Sequence, residues 1–194
     1  MRFEGANDSD AWPNDMVIRV SDGSNLLELL WMRHRAVANA EPSLPPAALP
    51  GDPVSSRDNR LVGLWEASWK HALEHSRRVQ EVDPLAIPES SGLWSAPDIE
   101  YLAAELGVDG RSGAGSWRES LAFHDAERAV TVNARGAWER GLQVVLEVPL
   151  VGPYARELSR QTFLVSSAIR RDDVAYAAAL DSFGRNPERA PSRR

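Results

Sequence analysis

The chain has 194 residues, a formal net charge of −6, and 43% hydrophobic and 26% charged residues, which suits one hydrophobic core of ordinary composition. The absence of cysteine excludes disulfides, thiolate catalysis and cysteine-bound zinc or iron–sulfur clusters. The acidic balance argues against general nucleic-acid binding, because phosphate contacts demand a basic surface. No apolar run is long enough to span a bilayer, and MRFEGANDSDAWPND at the start lacks an apolar signal core, so a soluble, cytoplasmic protein is expected.

In chain order, residues 1–13 read as an acidic mobile arm. Met16 to Val20 reads as a short strand, and Ser21-Asp22-Gly23-Ser24 as a turn with Ser24 at the N-cap of a helix running from Asn25 to about Ala38. Leu26, Leu27, Leu29, Leu30, Trp31 and Met32 cover nearly the whole circumference of that helix, the pattern of a buried one. A strand, a glycine turn and a helix start can hold an anion, but one glycine falls short of the dinucleotide and phosphate-loop patterns. His34, in Arg33-His34-Arg35, is expected to complement the helix dipole. Glu41 to Arg57 carries five prolines. They forbid a helix and favour a stiff, extended crossover that tucks in Leu44 and Leu49.

Asn59 to Val82 reads as the central helix. Leu61, Leu64, Trp65, Ser68, Trp69, Ala72, Leu73, Ser76 and Val79 recur at helical spacing, with Asp58-Asn59 at its start. It also holds His71-Ala72-Leu73-Glu74-His75, which fits the H-x-x-E-H pattern of inverted zinc hydrolases. Histidines four apart on a helix can share a metal, and the glutamate between them can activate a bound water. His71 and His75 are therefore candidate metal ligands, and Glu74 is the candidate general base. At roughly 100° per residue the two histidines fall on the shoulder of the apolar face. A third ligand would come from His124, Glu127 or Glu147, among which the sequence does not choose. The five residues are similar to the metal motif of the pitrilysin-like peptidases and of the S-ribosylhomocysteine lyases. The latter resemblance implies a cysteine as third ligand, a residue this chain lacks.

Ser95-Ala96-Pro97-Asp98 opens an amphipathic helix with a stripe of Ile99, Leu102, Ala103 and Leu106, stopped by Gly107. Val108 to Gly115 is a glycine-rich connector. A further helix is expected from Ser116, with a kink, to Arg140. Leu142 to Val151 is the strongest strand, apolar on both sides and so interior, with Pro149 near its end and Glu147 expected to face solvent. Gln161 to Ile169 reads as its antiparallel neighbour. Asp172 or Asp173 caps a last helix, whose Val174, Ala177, Leu180 and Phe183 are expected to pack inward. Residues 185–194 form a basic tail.

These elements predict a single α+β domain over 14–184, mostly helical, with a small, mixed or antiparallel sheet. Seven tryptophans and an almost exclusively arginine positive charge fit contact surfaces, since both residues are enriched at interfaces. The leading expectation is a non-enzymatic binding or assembly domain that meets a protein partner or a second copy of itself, with no cofactor. The alternative is a hydrolase using zinc or another divalent metal.

Overall fold

The computed structural model describes residues 12–21, 24–48, 52–82, 97–108 and 125–185. The glycine-rich connector after Val108, His124 and most of the two terminal segments lie outside that range. Along the chain run β1 (Arg19–Ser21), α1 (Ser24–Ala36), α2 (Asn59–Val82), α3 (Pro97–Leu106), α4 (Ala126–Ala129), α5 (Thr131–Glu139), β2 (Val144–Val148), β3 (Ala155–Glu157), β4 (Thr162–Ser166), α6 (Ser167–Arg170) and α7 (Asp173–Ser182). The architecture is α+β, with a four-stranded mixed sheet in the order β1-β2-β4-β3.

β2 is interior. It pairs in parallel with β1, Val20 opposite Val145, and in parallel with β4, Leu146 opposite Leu164. The expected antiparallel pairing of the two long strands is thereby corrected. The connection between them contains β3, which pairs antiparallel with β4 along Ala155↔Val165 to Glu157↔Phe163. The chain reverses twice between β2 and β4, so β4 regains the direction of β2 and lies beside it, with β3 outside.

Because side chains alternate across a strand, β2 serves two cores. Val144, Leu146 and Val148 meet Leu164 and the apolar faces of α1, α2 and α3. Val145 meets Phe163 and Val165 in a second core with Ala134, Ala137, Tyr176, Leu180 and Phe183. The first core owes its bulk to α1, whose leucines are buried all round as their distribution requires, and to Trp65 and Trp69 of α2, stacked with centroids 5.4 Å apart. Gly107 ends α3 at φ 62, where Val108 N–H donates to Ala103 O at 3.0 Å; a left-handed residue at that point favours glycine.

The proline-rich segment is a strap, as its composition requires. Ala47 bridges Leu150 in antiparallel fashion, with Ala48 N–H donating to Pro149 O and Val151 N–H to Pro46 O, each at 2.9 Å. A Cβ on Gly152 would sit 2.8 Å from the Pro45 Cβ, so glycine permits the close approach of strap and turn. Further along, Val54 N–H donates to His34 O and Ala38 N–H to Val54 O. These bonds fasten the strap to the end of α1.

Two side-chain placements differ from the sequence reading. The second long strand stops at Ser166, whose Oγ accepts from Ile169 N–H and caps α6, so Ile169 packs from a helix. In α7, Asp172 Oδ1 accepts from Val174 and Ala175 N–H at 3.0 Å. Leu180 and Phe183 pack inward as expected, Tyr176 is buried beside them, and Val174 in the first turn is 81% exposed.

Candidate functional site

The H-x-x-E-H residues lie on the outer part of α2. Its buried arc runs through Trp65, Ser68, Trp69, Ala72 and Leu73, which leaves His71 exposed and Glu74 and His75 half-buried. Glu74 lies 3.4 Å from Arg77 in a partly exposed pair. Two of the three expected third ligands are elsewhere. Glu147 alternates with the residues of β2 that meet α2, so it projects from the opposite face of the sheet, and Glu127 joins it there. Among the described residues, no group of three or more histidine, aspartate or glutamate side chains is arranged to hold a metal.

Glu147 does not face solvent. It is buried together with Glu127, and both carboxyl groups share the guanidinium of Arg170. Arg170 Nε donates to Glu127 Oε1 at 3.1 Å and Nη2 to Glu127 Oε2 at 2.7 Å, a side-on fork. Nη1 donates to Glu147 Oε2 at 2.9 Å. The Tyr176 hydroxyl donates to Glu127 Oε1 at 2.7 Å. This network ties α4, β2, α6 and α7 together beneath the ends of the parallel strands.

Its titration is set by competition between burial and bonding. Burial raises the pKa of Glu127, but the hydrogen bonds from Arg170 and Tyr176 and the Arg170 charge outweigh it, so the carboxyl is held below its ordinary range. Burial lowers the pKa of Arg170, yet its two carboxylate partners carry it above the ordinary value. Burial and the Glu127 charge push the Tyr176 hydroxyl well above 10. A tyrosine bonded into a carboxylate–guanidinium pair in this way is kept protonated as a fixed donor. The chemistry is that of a closed clamp.

The opposite core holds an arginine of a different kind. Arg33, in the last turn of α1, is 9% exposed, with its guanidinium 6.0 Å from the centroid of the Trp65 ring. Its Nη2 reaches Leu44 O at a long 3.4 Å, and its buried Nε has no hydrogen-bond partner. Burial lowers its pKa, with the charge of Glu41 opposing. Glu41 itself is turned to the strap, where Oε2 accepts from Ser43 N–H at 2.8 Å. Trp65 Nε1 donates to Leu29 O at 2.7 Å. Its stacking partner Trp69, 2% exposed, has an unpartnered Nε1, and His34, 6% exposed, an unpartnered Nε2. Each buried polar atom left without a partner costs about 1–3 kcal/mol.

Arg33, Arg170 and Tyr176 are not among the candidates that the sequence marks. A signal existed for the first: the Arg33-His34-Arg35 run follows a stretch apolar all round, so residues there cannot all reach water. The other two join the clamp only through contacts across the fold. The described tryptophans are buried or half-buried and act first as anchors. No protein-family model, curated protein or solved structure matches the chain.

Proposed function

We propose that the protein is a non-enzymatic binding or assembly domain that engages a protein partner, or a second copy of itself, through the layer formed by α1, α2 and the strap. The observation that carries this reading is Arg33, a buried guanidinium with no ion pair among the described residues and an unpartnered Nε. A partner that completes its bonding recovers free energy that the isolated fold leaves unused. Sedimentation velocity from micromolar to hundreds of micromolar protein, with affinity capture alongside, tests it. Wild type should self-associate or retain a defined partner and Arg33→Met should not. A strict monomer that captures nothing contradicts it.

The metal-hydrolase reading keeps one observation in its favour: His71 and His75 stand one turn apart on the outer part of α2, with Glu74 between them.

A further inference from the structure

Among the described residues two arginines are buried, and they form an internal comparison. Both lie in the last turn of a helix, and both are buried. In Arg170 the Nε–Nη2 edge grips one carboxylate side-on, at 3.1 and 2.7 Å. In Arg33 the same edge has no partner at Nε and only a carbonyl at 3.4 Å on Nη2. The guanidinium carbon lies 6.0 Å from the centroid of the Trp65 ring, and a planar guanidinium donates in its own plane, through its edges. The planar fork matches a carboxylate in two parallel bonds. Resting on the reading of this layer as a contact site, we propose that the Nε–Nη2 edge of Arg33 is a binding site for a carboxylate group.

The strap lies over this edge. Leu44 O is the weak stand-in on Nη2, and Leu44 is held by its own burial and by neighbours on the strap. Glu41 N–H donates to Glu66 Oε1 at 2.9 Å, so the strap's near end is fastened to α2 through Glu66. Arg33 Nε and Leu44 are both buried, so a ligand carboxylate reaches this edge only where the strap at Leu44 gives way to it. The Glu41 carboxyl lies close enough to act on the Arg33 charge but is committed to Ser43 N–H. It is therefore the competitor from within the chain.

The Nε–Hε resonance of arginine reports directly on this edge. In the full chain labelled with nitrogen-15, the Arg33 resonance is assigned by its loss in Arg33→Lys, and the Arg170 resonance serves as the internal control. Acetate and triglutamate are titrated against chloride at matched ionic strength. The expected result is a saturable downfield shift of Arg33 with either carboxylate, no shift with chloride, and an unmoved Arg170. Saturation by acetate at concentrations no higher than triglutamate assigns the site to small carboxylic acids. Tighter saturation by triglutamate assigns it to acidic side chains of a protein. A resonance that neither probe moves overturns the proposal. If Arg33→Met abolishes association while both probes leave the resonance in place, the binding reading stands and the carboxylate assignment falls.

Discussion

Replacing Arg170 by methionine removes the one guanidinium that two buried carboxyl groups share. The side chains of Arg170, Glu127 and Glu147 are only 6%, 7% and 8% exposed, so water cannot take over. Removing one partner of a buried ion pair costs about 3–5 kcal/mol, because the remaining charge is left uncompensated. That is a large share of a total stability of about 5–15 kcal/mol, and for a chain of this length it lowers the melting temperature by roughly 6–20 °C. The loss should depend on pH. In wild type the Glu127 carboxyl is held below its ordinary range. Its contribution is therefore complete above the unfolded pKa of about 4.3 and is lost as pH falls through the lower folded value. In Arg170→Met the burial persists without the guanidinium, so the carboxyl pKa rises above its unfolded value and protonation favours the folded state. Urea denaturation at pH 8 and pH 5 should show the gap between variant and wild type narrowing at the lower pH. A variant that loses less than about 1 kcal/mol at pH 8, where the exposed-pair range ends, would refute the reasoning.

Other predictions follow from local geometry and from the candidate metal pair. Asp172→Ala removes the acceptor of two α7 amides and should cost about 0.5–2 kcal/mol in urea denaturation, whereas exposed Asp173, inside the helix, should cost less. Tyr176 is held protonated well above 10. A raised folded pKa gives stability that is present below the unfolded value and lost as pH rises, so Tyr176→Phe should flatten the alkaline limb of the stability profile above about pH 10. If α2 holds a metal, purified protein incubated with zinc should retain it stoichiometrically and lose it in His71→Ala and in His75→Ala. Metal-free protein of unchanged melting temperature after zinc incubation removes that reading.

What was legible in the sequence was whatever depends on period and punctuation. The helical recurrence of Trp65, Trp69 and Ala72, the all-round leucines of α1, the stop at Gly107 and the two-sided strand from Val144 to Val148 all follow from neighbours in the chain. The strap was legible because proline restricts the backbone directly. Strand direction was not, since nothing local reveals that β3 folds to the outside of β4. The fate of Glu147 was equally hidden. A carboxylate in an apolar strand faces water unless a cation meets it, and that cation, Arg170, is 23 residues away and enters only once β4 lies beside β2. In α7 the spacing of Leu180 and Phe183 gives the inward face, but Val174 in the first turn stays exposed and Tyr176 takes the buried place, a matter of packing against Glu127 and Phe163. Arg33 was placed on a helix end correctly enough, but its isolation is a property of packing, which no pattern of residue types reveals.

The central claim is that Arg33 is kept for binding and not for the stability of the isolated fold. Equilibrium urea denaturation of Arg33→Met against wild type, at protein concentrations where neither associates, measures this directly. Replacing a buried, poorly bonded charge by an apolar side chain of similar volume is neutral or stabilising by about 1–4 kcal/mol. The variant should therefore be at least as stable as wild type. A loss of more than about 2 kcal/mol, the scale of a charged group's lost hydrogen bonds, would show that Arg33 holds the fold together and would contradict the account.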